Sequence, residues 1–130
     1  MNQAYKKHQD QATFRVVYIR EAHPEDEWKT GDTSRLGLGG VINQPKTEEE
    51  RLKVATGCKA KLELEPPFLM DTIDNKANSI YSAWPDRIYI INSEGKIHYK
   101  AGVGPHGFHV DEAEASLKQL LQEARSVAKK

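Results

Sequence analysis

The sequence has a single cysteine, Cys58, and this scarcity excludes several classes of protein. One cysteine cannot form a disulfide within the chain, a Cys-x-x-Cys redox pair or a cysteine-based structural zinc site. Long apolar runs are also missing. The longest aliphatic or aromatic runs have four residues, at 16–19 and 88–91, whereas a membrane-spanning helix needs about 20. With no signal-peptide pattern near the start, we expect an intracellular, cytoplasmic protein without a membrane span.

The sequence also lacks an excess of charge of either sign. Lys and Arg total 19, and Asp and Glu also total 19, so the formal net charge is zero. General binding to nucleic acid or to a membrane surface requires a basic excess, so neither partner is expected. The chain also lacks a dinucleotide-binding fingerprint and a Gly-x-Ser-x-Gly element. Its 130 residues, 38% of them hydrophobic, suffice for one globular domain over 1–130.

The apolar periodicity predicts an α/β chain. The predicted elements, in order, are a helix end at 2–12, a strand at 14–20, a helix after Thr47, an extended piece at 68–70, a short helix at 74–83, hairpin strands at 87–91 and 96–100, and a helix capped by Asp111. The first strand is continuously apolar, which is typical of a parallel strand covered on both faces. Thr47 and Glu50 form a capping-box pattern, and the helix they begin provides a crossover for parallel pairing.

Four stretches form an ordered set of motifs. They read Y-I-R-E-A-H-P-E-D-E-W at 18–28, D-T-I-D-N at 71–75, Y-S-A-W-P-D-R-I-Y-I-I at 81–91 and G-V-G-P-H-G-F at 102–108. In this order they resemble motifs of the iodothyronine deiodinase family: Y-I-x-E-A-H-x-x-D-G-W, D-x-M-D-N, Y-x-A-x-P-E-R-L-Y-V-I and G-x-G-P-x-G-[FY]. The resemblance covers about residues 5–125. It implies a thioredoxin-like fold, close to peroxiredoxin-type domains.

The resemblance also implies an oxidoreductase whose nucleophile is a selenocysteine or cysteine. In the family this residue ends a strand that would precede Met1, and the thioredoxin fold places that strand between the two halves of its sheet. We therefore expect the chain to be truncated relative to the family pattern, to lack this strand and to be inactive by itself. The implied chemistry is reductive dehalogenation or thiol redox chemistry, with an external thiol reductant and no bound cofactor.

Glu21 and His23 are the main candidate catalytic residues. They follow the first strand, where α/β folds place ligands, and histidine can transfer protons near neutral pH. The resemblance implies that Asp86 joins them, and that Trp84 and a cis Pro85 line the substrate pocket. The alternatives are that Glu21 caps backbone amides in a loop, that His23 has only a structural role, and that Asp86 pairs with its neighbour or faces solvent.

Three positions depart from the family pattern. Pro45 stands near the family's hormone-binding histidine, Val103 stands at its arginine, and Glu27 replaces a glycine. We therefore do not expect the vertebrate hormone to be the substrate.

Cys58 is interpreted as a buried structural thiol, with a resolving thiol as the alternative. A metal site is not expected, because His-x-x-His at 106–109 has no completing ligand.

Two other classes of function stay open at this stage. One is a non-catalytic thioredoxin-fold module that binds a small ligand or a peptide and forms a homo-oligomer by strand donation. The other is a peroxiredoxin-like relative that reduces peroxides. The partners expected for an enzyme are a small-molecule substrate and a thiol reductant protein.

Overall fold

A computed structural model of the chain describes residues 1–27 and 42–128. Its elements are α1 (Asn2–His8), β1 (Val16–Tyr18), α2 (Glu48–Lys61), β2 (Phe68–Met70), α3 (Lys76–Tyr81), β3 (Tyr89–Ile91), β4 (Ile97–Lys100) and α4 (Val110–Ala128). They confirm the predicted mixture of helices and strands. The chain forms two compact units. We call Asn2 with Phe14–Pro85 the crossover unit, and Met1, Gln3–Thr13 and Asp86–Lys130 the hairpin unit. The prediction of a single domain stays a prediction.

In the crossover unit, β1 and β2 pair in parallel, with Val16 opposite Phe68 and Tyr18 opposite Met70. α2 lies between them in the sequence and is the crossover connection that parallel pairing requires. The ladder continues past the strand ends, because the Asp71 N–H donates to the Tyr18 carbonyl at 2.8 Å. The predicted parallel pairing is therefore confirmed.

β1 is not covered on both faces, so this expectation was wrong. Val17 is 41% exposed, and its register partner Leu69 is 49% exposed. Val16 and Tyr18 are half-buried. Side chains alternate between the faces of a strand, and among the described residues this sheet has two strands. The face of the sheet that carries Val16 and Tyr18 is therefore partly buried, and the face that carries Val17 and Leu69 is exposed.

α2 begins where the capping signal predicted. The Thr47 Oγ1 accepts a hydrogen bond from the Glu50 N–H at 3.2 Å. The Glu50 carboxylate accepts from the Lys46 N–H at 2.7 Å, one residue earlier than the Thr47 N–H that a capping box uses. Acidic residues fill the first turn of α2, where the helix dipole stabilises negative charge.

The buried face of α2 differs from its apolar pattern. Ala55 is buried, but Leu52 and Leu62 are exposed. The most buried residue is Arg51, which is 1% exposed. Its Nη1 donates to the carbonyls of Asp71 and Thr72 at 3.3 and 2.6 Å, and its Nη2 donates to the Asn75 Oδ1 at 2.9 Å. These three hydrogen bonds compensate for burial of the guanidinium charge, although the buried Arg51 Nε has no hydrogen-bond partner among the described residues.

The turn after β2, whose carbonyls accept hydrogen bonds from Arg51, is also stabilised by the Asp71 side chain. It is buried, and its carboxylate accepts hydrogen bonds from the N–H groups of Thr72, Ala77 and Asn78 at 2.8–2.9 Å. The last two bonds satisfy the start of α3. α3 is therefore positioned by this cap. The apolar residues of α3 do not form a buried face, because Ile80 and Tyr81 are exposed.

In the hairpin unit, β3 and β4 pair antiparallel, which confirms the predicted hairpin. Tyr89 lies opposite Lys100, and Gly95 occupies the turn at a φ of 78°. α4 starts at Val110, so Asp111 lies inside the first turn and is not the predicted cap. Ala113 and Leu117 are buried, whereas Val127 at the far end is exposed. Within residues 1–27 and 42–128, no helix is long and apolar enough to cross a membrane.

A single carboxylate joins α1 to α4 in the hairpin unit. The Glu114 Oε1 lies 3.0 Å from the Lys118 Nζ and 3.3 Å from both the Lys7 Nζ and the His8 Nε2. The hydrogen bonds from Lys118, His8 and Lys7 outweigh the effect of burial and lower the pKa of Glu114 from its ordinary 4.5 to about 2. These partners therefore stabilise the ionised carboxylate in the folded protein.

Glu114→Gln should remove an acid-sensitive part of the stability. The lowered pKa means that the Glu114 charge stabilises the fold above about pH 4.5, and that this contribution is lost as pH falls toward about 2. Urea unfolding across this range should show the wild type losing its advantage over Glu114→Gln. Lys118→Gln should shrink the same pH-dependent difference. Parallel curves for the wild type and Glu114→Gln would contradict the assignment.

Asp71→Ala should destabilise the crossover unit by about 2 kcal/mol, because three partly buried N–H groups lose a charged acceptor. Urea unfolding followed by circular dichroism measures this. Asp74→Ala is the matched control: Asp74 is exposed and accepts from the Thr72 hydroxyl at 2.5 Å. Its loss should cost about 0.5 kcal/mol. Equal effects of the two variants would refute the role given to Asp71.

Candidate functional site

The carboxylate of Glu21 is held by three donors just after β1. Its Oε2 accepts from the Tyr18 hydroxyl at 2.6 Å. Its Oε1 accepts from the N–H groups of Ala22 and His23 at 3.0 and 3.1 Å. Tyr18 is the last residue of β1, so the strand end fixes where the phenol meets the turn. Glu21 therefore does cap backbone amides, but it also binds a phenol.

His23 lies beside this carboxylate. Its Nδ1 is 3.6 Å from the Glu21 Oε1, an ion-pair distance. The His23 side chain is 25% exposed and that of Glu21 is 11% exposed, so the imidazole is the more accessible partner. A carboxylate that orients an imidazole and stabilises its cationic form is a common arrangement for proton transfer. The structure thus brings Glu21 and His23 together, and their catalytic role stays a prediction.

The main chain of Glu21 is held as firmly as its side chain. The Gln44 Oε1 accepts from the Glu21 N–H at 3.0 Å, and the Gln44 Nε2 donates to the Glu21 carbonyl at 3.2 Å. The Trp84 Nε1 also donates to that carbonyl, at 3.5 Å. Trp84 is half-buried. The pocket residue predicted from the motif therefore contacts the candidate catalytic residue.

The other two predicted site residues follow Trp84 directly. The Trp84–Pro85 bond is cis, as expected, and so is Gly104–Pro105. Asp86 belongs to the hairpin unit, where its carbonyl accepts from the Gly104 N–H at 3.1 Å. A Cβ at Gly104 would lie 1.4 Å from the Asp86 Oδ1. The absence of a side chain at Gly104 thus allows the Asp86 carboxylate to sit against the Gly-Pro loop, a contact that the sequence did not predict.

Burial and the Glu21 charge act on two neighbouring groups. Burial, together with the hydrogen bond to Glu21 and its charge, raises the pKa of Tyr18 well above its usual range. Burial first, and then the Glu21 charge, also raises the pKa of Cys58. A raised thiol pKa leaves little thiolate near neutral pH. Cys58 is half-buried on α2, a partial match to the predicted structural thiol.

No cluster of three His, Cys, Asp or Glu side chains in the described ranges 1–27 and 42–128 could hold a metal ion. His106 and His109 are both exposed.

Comparison of the sequence with known proteins assigns the chain to a family. The sequence model described as Iodothyronine deiodinase matches residues 2–121. The chain belongs to the iodothyronine deiodinase family. It is 35% identical to the Thyroxine 5-deiodinase of Bos taurus over 113 residues, covering 87% of this chain and 35% of that protein. It is 34% identical over 117 residues to those of Sus scrofa and Gallus gallus, covering 90% of this chain and 36% and 43% of theirs. The chain thus spans well under half the length of these relatives.

This member of the deiodinase family departs from the family pattern at positions that the structure describes. Pro45 is buried beside Gln44, and Val103 is exposed. Glu27 is exposed and accepts from the Arg20 guanidinium at 2.5 Å. The Gly37–Gly40 stretch and Trp28, the last residue of the first motif, lie outside the described residues. Positions 45 and 103 therefore lie in the described part of the structure.

Two residues that contact Glu21, Tyr18 and Gln44, were not predicted from the sequence. Tyr18 was treated as part of an apolar strand, although it begins the motif that contains Glu21, and that spacing was a usable signal. Gln44 lies 23 residues from Glu21 in a stretch assigned to a loop. A lone glutamine in a loop has no pattern that distinguishes it from a solvated residue.

Glu21→Gln should lower the pKa of Tyr18, because the charge and the carboxylate acceptor both oppose loss of the phenol proton. The pKa should stay above the usual tyrosine range, since burial remains. Tyrosinate absorbance at alkaline pH measures this, with Tyr18→Phe in each background isolating the Tyr18 contribution. Glu25→Gln, at an exposed glutamate, is the control and should leave the Tyr18 titration unchanged. An unchanged titration in Glu21→Gln would contradict the contact.

Proposed function

We propose that this chain provides the proton-transfer site of a deiodinase-like oxidoreductase that reductively dehalogenates an aromatic substrate. The observation that carries the proposal is the Tyr18–Glu21–His23 arrangement. Tyr18 and two backbone N–H groups hold the Glu21 carboxylate, and that carboxylate lies 3.6 Å from the more exposed imidazole of His23. Membership of the deiodinase family supplies the reaction class.

The chemistry balances with a chalcogen nucleophile and a thiol. A thiolate or selenolate attacks the halogen, the carbon–halogen bond breaks, and its electron pair stays on the ring carbon. His23 in its protonated form donates the proton that this carbon takes up and is left as a neutral imidazole, which the neighbouring Glu21 carboxylate keeps oriented. Two external thiols then reduce the chalcogen–halogen species. They release halide, restore the nucleophile and become a disulfide. The net two-electron reductant is the external thiol.

The nucleophile in this proposal lies outside these 130 residues. The one cysteine of the chain, Cys58, has a raised pKa and is half-buried on a helix, which does not suit a nucleophile. The proposal therefore includes a preceding strand that carries cysteine or selenocysteine and completes a thioredoxin-like sheet. The β1–α2–β2 crossover and the β3–β4 hairpin support that arrangement.

The substrate pocket is proposed to include Trp84 and Pro85. Trp84 supports this role because it contacts the Glu21 main chain, and an indole can pack against an aromatic ring. The expected substrate is a halogenated aromatic compound other than the vertebrate hormone. Proline at position 45 and valine at position 103 cannot provide the hydrogen bonds of a histidine and an arginine.

The direct test compares two proteins with a mono-iodinated phenol as substrate and dithiothreitol as reductant. One is the chain as it stands. The other is extended by the segment encoded in frame upstream, with any in-frame UGA replaced by a cysteine codon. The extended chain should release iodide in proportion to the thiol oxidised, and the chain as it stands should not. No iodide release by the extended chain would overturn the proposal, and peroxide consumption in its place would favour a peroxiredoxin-like activity.

His23→Gln in the extended chain should lower kcat by roughly 100-fold, the usual scale for loss of general acid catalysis. The matched control is His109→Gln, at an exposed histidine of the hairpin unit, which should leave kcat unchanged. Equal rates for the wild type and His23→Gln would remove His23 from the mechanism.

A further inference from the structure

Gln44 makes an unusual pair of contacts for a residue in a loop. It is 8% exposed. Its amide oxygen accepts from the Glu21 N–H at 3.0 Å, and its amide nitrogen donates to the Glu21 carbonyl at 3.2 Å. Both ends of one side-chain amide thus bind both main-chain groups of one residue. This matches the pairing that a neighbouring strand would offer.

Few side chains can make this pair of contacts. Only asparagine and glutamine carry a carbonyl acceptor and an N–H donor in one planar group. Glutamine has the longer side chain of the two. A leucine fills a similar volume but leaves the Glu21 N–H and carbonyl without these partners. A glutamate can accept from the N–H but, when ionised, cannot donate to the carbonyl.

Gln44 is itself anchored to the turn that contains Glu21. Its backbone N–H donates to the Asp26 Oδ1 at 2.7 Å. One residue earlier in that turn, the Glu25 N–H donates to the Ile42 carbonyl at 2.9 Å. Four hydrogen bonds between three residue pairs therefore join the segments 21–26 and 42–44. The backbone of Gln44 is thus held by contacts that do not involve its side-chain amide.

We propose that Gln44 is a positioning residue that orients the Glu21 carboxylate toward Tyr18 and His23. The inference rests on the proposed function for its catalytic consequence, although its structural part can be tested without activity. With the N–H and carbonyl of Glu21 both bound by Gln44, the backbone torsions of Glu21 are restrained and its side chain starts from a fixed Cα. The three donors on the carboxylate then select one orientation.

The first experiment uses the chain as it stands and measures amide hydrogen exchange. In Gln44→Leu, the Ala22 and His23 N–H groups should exchange at least about tenfold faster, because the carboxylate that accepts from them is no longer held. The Ala77 and Asn78 N–H groups, bound by Asp71, serve as internal controls and should keep their protection. Unchanged exchange at Ala22 and His23 would overturn the inference.

Two further variants separate the amide pair from general packing and from charge. Gln44→Glu keeps one of the two hydrogen bonds and should give a smaller acceleration than Gln44→Leu. It also serves if the leucine variant does not fold. Asn43→Asp makes the same amide-to-carboxylate change at the exposed neighbouring residue and should leave the exchange of Ala22 and His23 unchanged. Equal acceleration in Asn43→Asp and Gln44→Glu would refute the amide pair.

The second experiment measures kinetics in the extended chain. A misplaced carboxylate should lower kcat by roughly tenfold to 100-fold with little change in KM, and should alter the shape of the pH–rate profile. A loss confined to KM, with an unchanged pH profile, would overturn the positioning role. If the extended wild-type chain releases no iodide, the proposed function fails, and the exchange experiment still decides whether Gln44 orients Glu21.

Discussion

The crossover unit depends on how the buried charge of Arg51 is satisfied. A guanidinium with 1% exposure must find acceptors inside the protein. It finds them in the carbonyls of Asp71 and Thr72 and in the Asn75 side chain. The segment that leaves β2 must therefore pass across the first turn of α2. In that position the Asp71 N–H reaches the Tyr18 carbonyl and extends the β1–β2 ladder. The register that places the Tyr18 phenol thus depends on a cation that belongs to a different element.

The candidate site is also stabilised by hydrogen bonds to buried polar groups. The Glu21 carboxylate is mostly buried, and three donors compensate for its loss of hydration. Gln44 and Trp84 satisfy its main chain. Its negative charge helps to keep the Tyr18 phenol and the Cys58 thiol protonated. The His23 side chain beside this carboxylate is 25% exposed, which is why the proposed chemistry is assigned to the imidazole.

Local signals predicted the elements better than apolar patterns predicted burial. The start of α2 followed from Thr47 and Glu50, because a cap is made by residues a few positions apart. The hairpin at 89–100 followed from a short turn for the same reason. Leu52 on α2 and Ile80 on α3 have apolar side chains at helical spacing, yet both are exposed. In each helix a polar network involving Arg51 or Asp71 decided which face is buried, and no hydrophobic periodicity reports such a network.

The sequence by itself determined the family and the types of the elements, and it indicated Glu21 and His23 as candidate site residues. These properties follow from short motifs and from capping and turn residues, whose interactions span only a few positions. Tertiary structure decided that Gln44 binds the Glu21 main chain, that Arg51 is buried and that Cys58 lies close enough to Glu21 to feel its charge. Each of these depends on residues 20 or more positions apart. Such residues meet only when β1, α2 and β2 have packed, because hydrogen-bond geometry and burial are properties of the folded chain.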